Sequence, residues 1–237
     1  GVPDVVAQVS GMRRGLVLVP GVTGSGKSTT LASIIDLINA RRQDHIITVE
    51  DPIEFVYAHK QCVINQRQIG IHTRSFSDAL RSALREDPDV ILVGELRDLE
   101  TIAMAMTAVE TGHLVLSTLH TRGAAQTVDR IIDIFPPHQQ EQVRVQLAET
   151  LEMVVSQVLL PSVDGRSRYL ASEIMVMTNA IRQHIRQHQT HLIPTEIETG
   201  APLGMQTMEK SLKYLINTGK ISKETALPWV NDKRALD

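Results

Sequence analysis

Short apolar runs and polar breaks alternate along the chain, and that alternation predicts strands and helices in turn. Gly15-Leu16-Val17-Leu18-Val19 is a continuous apolar run, which reads as a strand buried on both faces. Behind it, Leu31, Ile34, Ile35 and Ile38 recur at helical spacing within residues 29–38. Arg41-Arg42-Gln43-Asp44 is a polar break, and His45-Ile46-Ile47-Thr48-Val49 is a second β-rich run ending at Pro52. Cys62-Val63-Ile64-Asn65-Gln66 is read as a strand and Gly70 to Thr73 as a turn. Ser75 opens a helix with Phe76, Ala79, Leu80, Ala83 and Leu84 on one face, stopped by Asp87-Pro88-Asp89. Val90-Ile91-Leu92-Val93 is a third apolar strand, Leu99 to Thr111 a helix closed by Gly112, and His113 to His120 a fourth strand-like run. Strand followed by helix, repeated, predicts an α/β fold with a mainly parallel sheet sandwiched by helices.

Past Thr121 the pattern changes. Ala124 to Phe135 reads as a helix ended by Pro136-Pro137. His138 to Leu160 reads as one long helix, with Val143, Leu147, Leu151, Val154, Val155 and Val158 on its apolar stripe. Asp164-Gly165 is a turn whose flanks, Val158-Leu159-Leu160 and Tyr169-Leu170-Ala171, have the character of a hairpin. Thr178 is placed to cap a helix through Ala180 to Arg186, and a further helix is expected from Met205 to Asn217. The last third is therefore expected to be a helical appendage, with Asn231 to Asp237 polar enough to fray. At the other end, Val2 to Met12 is a weakly amphipathic lead-in, expected to form a short helix.

Composition narrows the class. A chain of 237 residues can bury a substantial core. The formal charge is −3 and there is no Lys/Arg run of the kind that marks a nucleic-acid footprint, which disfavours a helicase or DNA translocase. One cysteine, Cys62, excludes an intramolecular disulfide and a cysteine-rich zinc cluster, and suits a reducing cytoplasm. No apolar stretch approaches the roughly 20 residues that cross a bilayer, so membrane association is expected only through a partner. The chain begins at Gly1 rather than Met, directly on the lead-in, which is read as a piece of something longer.

The chemistry is concentrated where the first strand meets its helix, in Gly21-Val22-Thr23-Gly24-Ser25-Gly26-Lys27-Ser28-Thr29. A glycine-rich turn entering a helix N-terminus aims successive backbone N–H groups at one point, where the helix dipole also favours negative charge. That is a phosphate cradle, and the fold expected around it is a P-loop NTPase of RecA-like type. Lys27 is placed to reach the β- and γ-phosphates of ATP, and the Ser28 hydroxyl to join a Mg²⁺ shell. Glu50-Asp51-Pro52-Ile53-Glu54 and Gly94-Glu95-Leu96-Arg97-Asp98 follow two other strands. Ligands of open α/β sheets bind at the carboxyl ends of strands, so parallel strands put these acids on the rim that carries the loop.

These four stretches resemble the motifs of the type II secretion and type IV pilus ATPases. Gly21 to Ser28 resembles their Walker A, Glu50 to Glu54 their Asp box, and Val90 to Glu95 their Walker B. Thr111-Gly112-His113 through Ser117-Thr118-Leu119-His120-Thr121 resembles their His box. Ala180-Ile181-Arg182-Gln183-His184-Ile185-Arg186 and Gly204 to Met208 resemble segments of the retraction branch of that family. The resemblance implies a homo-hexameric cytoplasmic motor, peripheral at the inner membrane and docked on a pilus platform protein there. It divides the chain into a lead-in at 1–14 from an absent N-terminal PAS-like domain, an ATPase core at 15–160 and a mostly helical C-terminal subdomain at 161–237.

Individual residues carry different weights. Glu95 is expected to hold Mg²⁺ or to activate the attacking water, and Glu54 is the other candidate base; Glu54 for the water and Glu95 for the metal is the preferred division. His120, at the carboxyl end of its strand, is a candidate sensor of the γ-phosphate, whereas His113 is as readily a structural histidine. Arg81, Arg85 and Arg97 are candidates to pair with nearby acids or to supply charge across a subunit boundary, a salt bridge being the preferred role for any single one, and Arg182 with Arg186 is expected to form either a docking face or a solvated one. Three functions stand: ATP hydrolysis powering pilus retraction, ATP hydrolysis in an assembly or secretion system, and a nucleotide-gated binding module. A small-molecule kinase is the rival enzyme class, since a phosphate loop does not name its acceptor.

Overall fold

The computed structural model describes residues 3–230 and Leu236; the expected fraying of Asn231 to Asp237 otherwise lies outside the described residues, as does Val2. After a short helix α1 (Asp4–Ala7) and a 3₁₀ turn (Gln8–Gly11) come β1 (Gly15–Pro20), α2 (Lys27–Arg41), β2 (His45–Glu50) and β3 (Val63–Gln68). Next are α3 (Phe76–Ala83), β4 (Val90–Val93), α4 (Leu99–Glu110), β5 (Leu114–Leu119), α5 (Ala124–Asp133) and α6 (Pro137–Thr150). The chain then forms β6 (Leu151–Pro161), β7 (Arg168–Val176), α7 (Asn179–Arg186), α8 (Ile193–Thr199), α9 (Met208–Asn217) and α10 (Lys223–Ala226). The strands make one seven-stranded sheet in the order β3-β2-β4-β5-β1-β6-β7. Every neighbouring pair is parallel except β6 with β7.

Alternation along the strands sorts the core into two layers. Leu16, Leu18, Ile91, Val93 and Val115 pack with α4 to α8 on one face of the sheet. Val17, Val19, Leu92, Leu114 and Leu116 pack with α1 and α2 on the other. Because both faces are covered, the central strands are buried along their whole length, which is why they read as continuous apolar runs. The helix starts follow local chemistry: Ser75, Asp98 and Thr178 each accept a backbone N–H three residues on, from Asp78, Thr101 and Ile181.

One expectation is overturned. The helix that begins at Pro137 ends at Thr150, and residues 151–160 are strand, not the continuation of a helix. Their spacing fits a helical stripe, but Leu151 and Val154 face one core layer and Met153 and Val155 the other. A stretch buried on both sides, rich in β-branched Val, satisfies a sheet interior better than a one-sided helix. The hairpin expected at Asp164-Gly165 is therefore longer, pairing Met153 with Val176 through Pro161 with Arg168. Its second strand belongs to the central sheet, so the expected boundary at 160/161 falls inside a hairpin. Only its distal half turns to the C-terminal helices, where Val158, Leu160 and Ala171 pack with Leu212, Leu215, Ile221 and Leu236.

Candidate phosphate-binding site

The carboxyl ends of β1, β2, β4 and β5 open on one rim, and a cleft of about 530 Å³ lies there. That volume suits a small-molecule ligand of nucleotide size. Thr23, Gly24, Gly26, Lys27, Ser28 and Thr29 line it from the loop side, facing Glu54, Glu95 and His120. Gly21, Val22 and Ser25 form the underside of the loop instead. The Lys27 ammonium donates to the carbonyls of Gly21 (3.0 Å) and Val22 (3.1 Å), which folds the loop around it. Burial lowers the Lys27 pKa, while the charges of Glu95 and Glu54 act to raise it, so all three groups share one electrostatic neighbourhood.

Two glycines are obligatory in this geometry. A Cβ on Gly21, at φ 156°, would stand 2.5 Å from both the Gln157 carbonyl oxygen and Ser25 Oγ. Gly26, at φ 89°, is the residue on which α2 begins, and its left-handed backbone suits glycine. The Ser25 hydroxyl, which does not line the cleft, is buried beside Gly21 without a hydrogen-bond partner. These features fit a phosphate chain.

Glu95 is held by its own strand's surroundings. Ser117 Oγ donates to the Val93 carbonyl (2.6 Å), Thr118 Oγ1 to that of Gly94 (2.7 Å), and the Gly94 N–H to that of Val49 (2.7 Å). The carboxylate accepts from Arg97 (2.8 Å) through one oxygen and meets His120 Nε2 (3.1 Å) with the other. Burial pushes its pKa up, but the hydrogen bond from Arg97 and the charges of His120 and Arg97 outweigh this and leave it below the usual range. Glu95 is thus a carboxylate at neutral pH. Glu54 is exposed on the facing loop, which β3 holds in place: Gln68 accepts from the Ile53 N–H (3.1 Å) and Gln66 from that of Tyr57 (3.0 Å).

Glu50, part of the same acidic stretch, is buried and accepts from Thr48 (2.6 Å) and Gln66 (3.2 Å). Burial raises its pKa, with those bonds opposing and the charge of Glu54 reinforcing. Glu50, Asp51, Glu54 and Glu95 all line the cleft, against the cations Lys27, Arg97 and Arg168. A triphosphate brought to four acids needs a divalent cation to screen it, and Mg²⁺ takes one or two protein oxygens with phosphates and water as the rest. Ser28 and Glu95 fit that role, which requires no cluster of protein carboxylates.

The remaining candidates separate. His113 is tied to the end of α4, its Nδ1 2.7 Å from the Ala108 carbonyl and 3.1 Å from Thr111 Oγ1, and is structural. Arg81 pairs with Asp78 and Glu100. Arg182 donates to the carbonyls of Ala148, Glu149 and Leu151 and pairs with Glu152, so it closes the end of α6. Sequence reasoning missed three residues of the β6–β7 hairpin: Gln157 and Leu159, which meet the loop, and Arg168, which lines the cleft. Nothing local signals them: Gln157 and Leu159 lie on β6, which reads as helix, and Arg168 opens β7 with no motif around it.

A glycine loop between a parallel strand and a helix N-terminus, with acids from two neighbouring strands on the same rim, defines a P-loop NTPase. Within that class the chain belongs to the type II/IV secretion system protein family, whose model matches residues 4–196. It is 54% identical over 226 residues to the Pseudomonas aeruginosa type IV pilus retraction ATPase PilT, covering 95% of this chain and 65% of that protein. It is 53% identical over 224 residues to a twitching motility protein of Neisseria gonorrhoeae, covering 94% and 60%. The crystal structure of the pilus retraction motor PilT with bound ADP superposes with a TM-score of 0.92 at 50% identity, covering 99% of this chain and 66% of that one. The chain therefore spans 60–66% of the length of these relatives.

Proposed function

We propose that this chain is the motor portion of a Mg²⁺-dependent ATPase that drives type IV pilus retraction as a subunit of a homo-hexamer. The observation that carries the ATPase reading is the convergence of Lys27, Glu54 and Glu95 on one cleft. Identity above half to a retraction ATPase and a twitching motility protein carries the pilus reading. In this reading Gly21 to Thr29 wrap the phosphates and Lys27 leaves the Gly21 and Val22 carbonyls to neutralise them. Ser28 and Glu95 are the residues that would hold Mg²⁺, which when bound would screen phosphate charge and orient the phosphoryl group. Glu54 aims the attacking water, and His120, 3.1 Å from Glu95, reports the γ-phosphate to the metal side of the site. Residues 15–160 form the ATPase core and the residues from 161 onward the C-terminal subdomain, the hairpin being shared. The assembly works in the cytoplasm against an inner-membrane platform protein.

Among the described residues no helix is long and apolar enough to cross a membrane, so docking through a protein partner is the arrangement proposed. The test is phosphate release from ATP by the assembled full-length protein with Mg²⁺ and no acceptor. Wild type should turn over and Lys27→Ala should fall to background. Near-normal release by Lys27→Ala refutes the site, and release that demands an added acceptor makes the protein a kinase.

A further inference from the structure

The phosphate loop is braced from outside its own βα unit by one side chain. Gln157 lies on β6, is 2% exposed, and its carboxamide spans the start of α2. Its Nε2 donates to the Ser25 carbonyl (2.8 Å) and its Oε1 accepts from Thr30 Oγ1 (2.9 Å). One planar group thus grips the loop before Gly26 and the helix just after Lys27 and Ser28. The backbone reinforces this. Leu18 is opposite Val154 where β1 runs parallel to β6, and three residues on along both strands Gly21 comes against the Gln157 carbonyl, leaving no room for a Cβ. The Nε2 atom would also lie 3.2 Å from a Cβ on Gly26.

We propose that Gln157 is a positioning residue for the nucleotide site: its carboxamide fixes the curvature that aims the loop's N–H groups at the phosphates. The inference rests on the reading of the loop as a nucleotide cradle. Of the loop's other bonds, Lys27 to Gly21 and Val22 and the Ser25 N–H to the Val22 carbonyl (3.2 Å) are local and travel with it if it swings, while the Gly21 N–H holds only the loop's base, to the Leu119 carbonyl of β5 (3.1 Å). The Gln157 pair ties it to a different strand. It also joins the loop to the hairpin whose far end builds the C-terminal core through Val158 and Leu160. Movement of that hairpin is thereby transmitted to the phosphates, and nucleotide binding to the hairpin.

The test is equilibrium binding of a fluorescent ADP analogue to full-length wild type and Gln157→Leu, with thermal melting recorded for each with and without ADP. Losing a hydrogen bond to each of two buried acceptor and donor groups should weaken binding by about tenfold and shrink the ADP-induced rise in Tm in proportion. A side chain that only supports the fold would lower the Tm of the free protein and leave the affinity and the ADP-induced rise alone. Affinity within about threefold of wild type overturns the proposal. Where Gln157→Leu fails to fold, Thr30→Val removes one arm of the grip at constant shape; binding about threefold weaker is then expected, and an affinity equal to wild type overturns the proposal. If wild type itself binds no ADP, the cradle reading fails first and the grip falls with it.

Discussion

Glu95 and Glu54 reach the cleft from the same half of the sheet but with different surroundings, and substitution should separate them. Glu95 is gripped by Arg97 and His120, whereas Glu54 stands exposed on a loop and is freer to meet water. Glu54→Gln should lower kcat by about a hundredfold or more and leave the Mg²⁺ requirement unchanged, as expected of a lost water-activating group. Glu95→Gln should lower kcat comparably and also raise the Mg²⁺ concentration needed for half-maximal rate. Steady-state kinetics across a Mg²⁺ series checks both, and a raised Mg²⁺ requirement in Glu54→Gln instead would exchange the roles.

Glu173 behaves differently. It caps the start of α5 by accepting from the Ala124 N–H (2.7 Å), and burial, opposed by that bond and reinforced by the charge of Glu209, raises its pKa. The folded protein therefore holds this proton more tightly than the unfolded chain does. Its stabilising contribution is full below the unfolded value near 4.5 and is lost as pH rises through the folded value. Glu173→Gln keeps an acceptor for Ala124 and should raise Tm at pH 8 by roughly 2 °C, the gain vanishing near pH 4; melting curves over pH decide it.

At this scale the legible residues are those whose chemistry is local in sequence. Lys27, Ser28, Glu54 and Glu95 announce themselves through a loop and two strand ends. Gln157 does not, because its partners lie 127 and 132 residues away and no short pattern encodes them.

Elements show the same division. The parallel strands β1, β2, β4 and β5 are legible since each is a short apolar run ended by Gly, Pro or a polar residue, whereas β3 is mostly polar. β6 is not: Leu151, Val154, Val155 and Val158 satisfy helical spacing as well as strand burial, and only the second core layer decides. The junction with α6 depends on Arg182, whose guanidinium takes up carbonyls freed where that helix stops. Arg182→Ala should destabilise by about 1–3 kcal/mol, lowering Tm by roughly 3–8 °C, with ADP affinity unchanged. Calorimetry measures the first and ligand titration the second; an unaltered Tm would return Arg182 to the docking surface.

For the whole molecule, the sheet order places the phosphate strand β1 between β5 and β6, so the loop lies between the acid-bearing half of the sheet and the hairpin that leads to the C-terminal helices. Events at the phosphates have a short covalent and hydrogen-bonded route to both. In cells, an otherwise native strain carrying Lys27→Ala should assemble surface pili and fail to retract them, scored by pilus length and twitching. Loss of pili altogether would favour the assembly role. The central claim is that a nucleotide's phosphates lodge between Lys27, Ser28 and the two acids. Calorimetric titration of full-length protein with Mg²⁺–ADP tests it most directly. The account predicts saturable binding that Lys27→Ala weakens by about a hundredfold or more; equal affinity in wild type and Lys27→Ala would contradict it.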